Sequence, residues 1–329
     1  MPVNAIRTSA LACGLAAATA FGALPAHAAS DPYSAFVFST SSATEPTIYN
    51  FIKTATSSLD MTMYELVDTT VENDLVALEK SGVTVRVVLD QAEKSTNQTA
   101  YNTLSAGGVG VVWSATSFTY THQKTITVDN DESLILSGNL TSEWYTTTRD
   151  YGVFDNDATD VAAIVATFNA DYAHKSVTPG DGDDLLWSPT TAQSRLLSVI
   201  NGATKTLDIE EEEFSDSALI NAVVARAKAG VAVRVVVEDP SGYSSEIKEI
   251  KNAGGKVVGY PESAALYIHA KAVVADYGQS DAAVEVGSMN WTSNSLGNNR
   301  ELGIVLADTA AEKVVETQFA ADYAGGTVQ

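Results

Sequence analysis

The sequence predicts an α/β fold made of two duplicated halves, each with the element order β-α-β-α-β. Segments recur along the chain at a nearly constant offset, from 147 residues (Ala106 to Ala253) to 151 residues (Phe168 to Phe319). Each half alternates short β-branched runs with longer segments of helical character, a pattern typical of strands that alternate with helices. We therefore expect mixed, largely parallel sheets with helices on both faces.

The predicted elements follow the same order in both halves, and a closing helix ends each half. A glycine after the second helix suits a left-handed C-cap, and the apolar run after it predicts a buried strand. The N-terminal segments are helix 47–56, strand 59–64, helix 70–80 with Gly82, strand 83–89 and closing helix 161–172. Their C-terminal counterparts are helix 194–203, strand 207–212, helix 217–229 with Gly230, strand 231–237 and closing helix 310–323.

A stretch rich in proline, glycine and aspartate divides the two halves. Pro179–Asp184 carries this composition and predicts a linker at residues 179–190. The predicted domains are therefore an N-terminal half at 29–178 and a C-terminal half at 191–329. Because each half contains one copy of the polar motif described below, we expect the halves to act together.

The first 28 residues predict a signal peptide. Arg7 supplies a positive charge, Leu11–Leu24 is apolar, and Ala26–Ala28 has small residues on either side of His27, as cleavage sites do. We expect a secreted or periplasmic protein that is cleaved near Ala28 and has no transmembrane segment. The single cysteine, Cys13, lies in this leader, so the mature chain needs no disulfide.

A polar motif that begins with His-x-Lys occurs once in each half. His122 with Lys124 opens the first copy, and His269 with Lys271 opens the second. Side chains at i and i+2 of a strand share a face, so each pair brings an imidazole and an ammonium together. The other residues that recur are Asp129, Ser137, Asn139 and Asp150 in the first copy, and Asp276, Ser288, Asn290 and Glu301 in the second.

These residue types predict a site for an anionic substrate. An imidazole can transfer protons, a lysine holds negative charge, and the serines and asparagines can add neutral donors. Two of the 4 histidines fall in the motif, which favours a functional site over a core histidine. No Cys/His cluster has zinc spacing, and Asp155–Asp160 lacks the glycine of an EF-hand, so we expect Asp157 to be a helix cap. Neither a metal nor a cofactor is expected.

The two motifs resemble the H-x-K-x4-D signature of the phospholipase D superfamily, and the resemblance covers both halves. Two departures occur: Leu136 replaces a glycine, and residues 279–282 lengthen the turn of the second copy. The resemblance implies a phospholipase D-like fold in which the halves pack face to face about a pseudo-twofold axis. It also implies one shared site at the seam and a monomer.

The resemblance further implies a role for each motif residue. One histidine attacks phosphorus and forms a phosphohistidine, while the other protonates the leaving alcohol; by analogy these are His122 and His269. The remaining roles are phosphate binding for Lys124, Lys271, Asn139 and Asn290, imidazole orientation for Asp150 and Glu301, turn formation for Asp129 and Asp276, and support for Ser137 and Ser288.

Charge and secretion favour a lipid substrate. The net charge of −22 argues against a nucleic-acid groove, because phosphate backbones bind basic surfaces. The predicted function is a secreted, metal-independent phospholipase D that hydrolyses or transphosphatidylates glycerophospholipid headgroups at a membrane surface or in micelles. The alternatives are a nonspecific endonuclease of the same superfamily and an inactive phosphate-binding scaffold.

Two further groups of residues have open interpretations. The run Glu210–Glu213 predicts a solvated strand end, with Glu211 or Glu213 in contact with substrate as the alternative. Four aromatic residues lie near the motifs, and two interpretations of them stay open: they line a substrate pocket, or they pack in the core. They are Tyr120, Tyr145, Tyr267 and Trp291.

Overall fold

The computed structural model describes residues 33–38 and 45–329, and the predicted signal peptide at 1–28 lies outside them. Within this part of the chain the α/β fold with two duplicated halves is confirmed. Its elements are numbered below in chain order.

The N-terminal half consists of a large sheet with helices on its faces. Its strands are β1 (Tyr33–Phe38), β2 (Ser58–Met63), β3 (Leu66–Val67), β4 (Thr84–Leu89), β5 (Gly110–Trp113), β6 (Thr125–Val128), β7 (Glu132–Leu136), β8 (Leu140–Thr141) and β9 (Thr148–Asp155). Its helices are α1 (Glu45–Lys53), α2 (Thr69–Ser81), α3 (Lys94–Gly107) and α4 (Ala158–Tyr172).

The C-terminal half repeats this arrangement. Its strands are β10 (Leu185–Ser188), β11 (Thr206–Glu211), β12 (Ala232–Glu238), β13 (Lys256–Tyr260), β14 (Tyr267–Ile268), β15 (Lys271–Ala275), β16 (Ala283–Gly287), β17 (Glu301–Leu306) and β18 (Thr327–Val328). Its helices are α5 (Ala192–Gly202), α6 (Ser217–Lys228), the 3-10 turn Pro240–Tyr243, α7 (Ser244–Asn252), α8 (Ser293–Asn298) and α9 (Thr309–Gly325).

The two large sheets have corresponding strand orders. The first runs β1-β9-β7-β6-β2-β4-β5, with β14 of the other half also paired to β9, and the second runs β10-β17-β16-β15-β11-β12-β13-β18. The expectation of largely parallel sheets is wrong. Between strands of the same half, parallel pairing in the large sheets of the described residues is confined to β2-β4-β5 and β11-β12-β13. The pair of β14 with β9, which joins the two halves, is also parallel. The motif strands β6 and β15 return through short hairpins, which forces antiparallel pairing.

Local caps define the helix ends that the sequence indicated. Gly82 follows α2 with a φ of +100°, a conformation that favours glycine. The side chain of Asp157 accepts hydrogen bonds from the backbone N–H groups of Thr159 and Asp160, so it is the N-cap of α4. This capping accounts for the acidic segment without calcium, and the described residues contain no cluster suited to a metal ion.

The two sheets pack face to face. One apolar cluster fills each half, and a third draws on both halves, including Tyr151 and Val153 from β9 and Ile268 from β14. Burial of this shared face from water stabilises the docked arrangement. Among the described helices, none has the length and apolar character needed to cross a membrane.

Two buried ion pairs also join the halves, and they are related by the duplication. Arg149 Nε lies 2.5 Å from Asp322 Oδ2 on the closing helix of the other half. Arg300 Nε lies 3.0 Å from Asp171 Oδ2 on the opposite closing helix. Each arginine directly precedes an acid of the repeated motif, so the same strand ends that lock the halves together also position those acids.

Candidate active site

The two His-x-Lys segments lie at the seam between the halves. Each contacts the acid-bearing strand of the other half through the backbone. The N–H of Gln123 donates to the carbonyl of Arg300 at 3.1 Å, and the N–H of His269 donates to the carbonyl of Arg149 at 3.1 Å. Docking of the halves therefore brings both copies of the motif to one place.

Each histidine is held by the acid of the opposite half. His122 Nδ1 is 2.8 Å from Glu301 Oε2, and His269 Nδ1 is 2.8 Å from Asp150 Oδ1. A carboxylate at Nδ1 fixes the ring orientation and favours the tautomer that leaves Nε2 to react. The sequence indicated these two acids as orienting groups but not that they exchange partners between halves.

The motif serines support the acids. Ser137 Oγ donates to Asp150 at 2.7 Å, and Ser288 Oγ donates to Glu301 at 3.0 Å. Of the neutral donors that the motif offers, the hydroxyl of Ser288 is used by the carboxylate of Glu301. The serines therefore act on the histidines through the acids.

Both motif lysines are buried beside the histidines. Lys124 Nζ donates to the carbonyl of His122 at 2.8 Å, and Lys271 Nζ donates to the carbonyl of His269. Burial and the nearby ammonium of Lys271 lower the pKa of Lys124 to about 7. Two ammonium groups confined this closely make a site that gains from binding an anion.

The groups at the seam also differ in the direction in which their surroundings shift the pKa. Burial and the charge of Lys124 lower the pKa of His122 to about 4, although Glu301 acts in the opposite direction. Burial would raise the pKa of Asp150 and of Glu301, but their histidine and lysine neighbours hold both below the ordinary values. His122 is therefore a neutral imidazole against an ionised carboxylate at neutral pH.

The pseudo-twofold symmetry breaks at one position beside the histidines. Tyr64, which follows β2, places its ring 4.5 Å from that of His122 and 5.0 Å from Lys124 Nζ. Glu212 holds the equivalent position after β11, where its Oε2 lies 2.6 Å from Lys271 Nζ and 3.6 Å from His269 Nε2. His269 thus has a carboxylate on two sides, whereas His122 has a carboxylate on one side and a tyrosine ring on another.

Glu212 was missed because the glutamate run was taken for a solvated strand end, and that expectation is wrong. Glu210 and Glu211 are buried, since β11 is an interior strand between β12 and β15. Tyr151 donates its hydroxyl hydrogen to Glu210 at 2.5 Å. The sequence did contain a signal for Glu212, because it aligns with Tyr64 when the two halves are compared. It lies one residue away from Glu211 and Glu213, the positions that we considered for substrate contact.

Of the two motif asparagines, Asn139 lines a cavity together with His269. Asn139 Nδ2 is 3.4 Å from Glu65 Oε2, and Asn290 is buried. Among the described residues, neither Asn139 Oδ1 nor Asn290 Oδ1 has a hydrogen-bond partner. Such orphan acceptors are costly unless a donor satisfies them, and it is the Nδ2 group of each amide that could donate to a phosphoryl oxygen.

The motif aspartates, by contrast, lie in turns that are remote from the histidines. Asp129, with a φ of +55°, accepts hydrogen bonds from the backbone N–H groups of Thr56, Ser57 and Ser58. Asp276 does the same for residues 204–206. Both carboxylates tie the strand β2 or β11 to the motif hairpin, in agreement with the turn-forming role that the resemblance implied.

A cavity of about 710 Å³ opens beside His269. Two of the aromatic residues singled out in the sequence line it: Tyr267, which is partly exposed, and Tyr145, whose hydroxyl donates to Asp68 at 2.8 Å. Trp291 instead stacks on Phe214 in the core, with ring centroids 5.2 Å apart. Tyr120 packs against Tyr64 at 5.8 Å.

Comparison with known proteins identifies the family. The family model described as "Cardiolipin synthase, PLD-like domain" matches residues 48–172 and 196–323. The mitochondrial cardiolipin hydrolase of Xenopus laevis is 30% identical over 131 residues, which are 39% of this chain and 60% of that protein. The human protein of the same name is 32% identical over 131 residues, or 39% and 50% of the two chains. The chain thus spans between half and three fifths of the length of these relatives.

Solved structures show the same fold. Phosphatidylserine synthase from Haemophilus influenzae Rd KW20 superposes with a TM-score of 0.67 at 13% identity, over 87% of this chain and 84% of the other. Polyphosphate kinase from Porphyromonas gingivalis gives a TM-score of 0.68 at 14% identity, over 88% of this chain and 50% of the other. With the family match across both motif-bearing halves, these findings establish that the chain belongs to the phospholipase D superfamily.

Proposed function

We propose that the protein is a phospholipase D-type phosphodiesterase that cleaves glycerophospholipids by a two-histidine mechanism without a metal. The observation that carries this proposal is the crossed arrangement in which each half supplies a histidine and the acid for the other's histidine. Two buried lysines beside that pair supply positive charge for the nonbridging oxygens of a phosphodiester.

In the first step, Nε2 of His122 attacks phosphorus. The bond from phosphorus to the headgroup oxygen breaks, and His269 donates its proton to that oxygen, so the alcohol leaves neutral. The low pKa of His122 supports the choice of nucleophile, because attack requires the neutral ring. The carboxylates of Asp150 and Glu212 around His269 suit a ring that carries the proton before transfer.

In the second step, His269 accepts a proton from water or from a second alcohol. The oxygen of that molecule bonds to phosphorus, and the bond between phosphorus and Nε2 of His122 breaks. Hydrolysis yields phosphatidate, and attack by an alcohol gives a new phospholipid. Lys124, Lys271, Asn139 and Asn290 are the groups that we assign to the phosphoryl oxygens in both steps.

The substrate and location also belong to this proposal. The net charge of −22 supports a small lipid phosphodiester over a long nucleic acid, since a polyanion is repelled while one phosphate needs only the local lysines. We infer secretion or periplasmic export from the leader sequence that ends at Ala28. Mass spectrometry of the exported protein tests this inference, and a mature N-terminus near Ala29 is expected.

The function is tested by offering the purified protein mixed phospholipid vesicles, plasmid DNA and bis(p-nitrophenyl) phosphate side by side. We expect phosphatidate from the vesicles and p-nitrophenol from the diester, both lost in His122→Ala. Cleavage of DNA without release of phosphatidate would instead favour the endonuclease alternative. Phosphate binding with no cleavage of any substrate would favour the inactive scaffold.

A further inference from the structure

Two buried acids stand at equivalent strand ends of the two halves, and neither takes part in the steps proposed above. Asp90 directly follows β4, and Glu238 is the last residue of β12, the counterpart of β4 in the second half. Asp90 is 1% exposed and Glu238 is 4% exposed. Carboxylates are rarely buried this deeply without a specific partner, so the partner of each acid is informative.

Each acid accepts a hydrogen bond from the backbone of the residue just before a motif histidine. The N–H of Thr121 donates to Asp90 Oδ2 at 2.5 Å, and the N–H of Ile268 donates to Glu238 Oε2 at 2.8 Å. The same contact occurs in both halves although the residue types at its two ends differ. The duplication has therefore kept the contact itself while the side chains around it changed.

These two contacts reach the reacting groups through a single residue. Thr121 forms a β-bridge with Arg300, and Ile268 pairs with Arg149, so each also lies against the acid-bearing strand of the opposite half. The backbone before each motif histidine is thus fixed from two directions, by a carboxylate of its own half and by a strand of the other half. A shift of that backbone would move the imidazole relative to the acid at its Nδ1.

The cost of burying these acids indicates that a strong acceptor is needed. Within the described residues neither forms an ion pair. Burial raises the pKa of Asp90 and raises that of Glu238 to about 7, while the backbone N–H groups act in the opposite direction. A neutral amide would accept the same N–H at a smaller cost of burial, but a hydrogen bond to a carboxylate is about twice as strong.

We propose that Asp90 and Glu238 are positioning residues, the first for His122 and the second for His269. Neither touches the substrate; each holds the backbone from which its histidine projects. A misplacement of about 1 Å between reacting groups can cost a factor of about 100 in rate, so a backbone clamp one residue from each imidazole has a large effect on the chemistry. This inference rests on the proposed function for the reaction that the two histidines perform.

The kinetic test follows the release of p-nitrophenol from bis(p-nitrophenyl) phosphate at pH 8, above the pKa of Glu238. Asp90→Ala should reduce the burst by about 10- to 100-fold. Glu238→Ala should keep the burst and slow the later turnover by a similar factor. A burst that is unchanged in both variants, or reduced in both, would overturn the proposal. The reverse split would support the positioning and exchange the roles of the two histidines.

Conservative variants and a matched control separate positioning from a loss of stability. Asp90→Asn and Glu238→Gln keep an acceptor oxygen without the charge, so each should recover most of the affected phase and leave a deficit of about 3- to 10-fold. They also carry the test if an alanine variant does not fold. Asp157→Ala removes an N-cap at the end of α4 that is opposite Asp171. It should lower the stability to urea and leave both kinetic phases unchanged.

A second measurement needs no catalysis. The ring N–H protons that the histidines donate to carboxylates give downfield NMR signals, which are assigned with His122→Ala and His269→Ala. We expect Asp90→Ala to shift the signal of His122 alone, and Glu238→Ala to shift that of His269 alone. Signals that stay unchanged in both variants would overturn the proposal. If the wild-type protein cleaves no phosphodiester, the proposed function fails, and these signals still decide whether the two acids position the rings.

Discussion

The exchange of acids between the halves makes a prediction about single substitutions at the seam. Asp150 belongs to the first half but holds His269, and Glu301 belongs to the second half but holds His122. If His122 is the nucleophile, Glu301→Gln impairs the attack on phosphorus. Asp150→Asn impairs the proton transfers by His269.

The size of each effect follows from the contact removed. A hydrogen bond to a charged group contributes about 1.5–3 kcal/mol, and each 1.36 kcal/mol is a factor of ten in rate, so we expect losses of about 10- to 200-fold. Ser137 and Ser288 still contact the substituted side chains, and the amide is close in size to the carboxylate. The folded structure should therefore persist, and Asp131→Asn, on the exposed β6–β7 turn, is the matched control.

The assay is the pre-steady-state release of p-nitrophenol from bis(p-nitrophenyl) phosphate. This leaving group departs without protonation, so Asp150→Asn should keep the burst and lose the slow turnover that follows. On a phospholipid, whose alcohol needs the proton, both steps should be slow. Glu301→Gln should reduce the burst itself. A burst that disappears in Asp150→Asn and persists in Glu301→Gln would refute the assignment of the two histidines.

Three further outcomes are expected. Cleavage of bis(p-nitrophenyl) phosphate should persist in EDTA, because Lys124 and Lys271 supply the charge; complete loss that zinc or calcium restores would contradict this. Because the pKa of His122 is lowered to about 4, its neutral form persists well below its usual pH range, so the acid limb of kcat/KM should lie near pH 4; a limb near 6.5 would contradict the burial argument. Asp322→Asn leaves the buried Arg149 unpaired and should lower the free energy of unfolding by about 3–5 kcal/mol in urea titrations, against about 0–1 kcal/mol for Asp74→Asn in the partly exposed pair with Lys53.

Much of the fold could be predicted because the chain is duplicated, so the pattern of one half can be checked against the pattern of the other. The helices before Gly82 and Gly230 and the buried strands after them follow from local patterns of apolar residues and caps. The direction of each strand was harder to predict. A strand that follows a hairpin and a strand that follows a crossover helix can have similar apolar sequences, although the first is antiparallel to its neighbour and the second is parallel. Antiparallel pairing of β6 with β7 and of β15 with β16 is set by short turns that periodicity does not reveal.

The candidate site was predictable in its residue types but not in its pairing. The spacing of His, Lys, Asn and acid in each copy is local information. The crossing of Asp150 and Glu301 depends on how the halves dock, which the sequence of one half does not contain. Glu212 escaped prediction for a different reason: its partner Lys271 comes from the neighbouring antiparallel strand of the same half, far along the chain.

The central claim is that His122 forms the covalent bond to phosphorus and His269 does not. The most direct measurement is to quench the protein rapidly during turnover of a phosphodiester, digest it, and locate the phosphoryl group by mass spectrometry. We expect the phosphoryl group on His122 in the wild-type protein, and its accumulation in His269→Ala with a good leaving group. A phosphoryl group on His269, or none on either histidine under rapid quench, would contradict the claim.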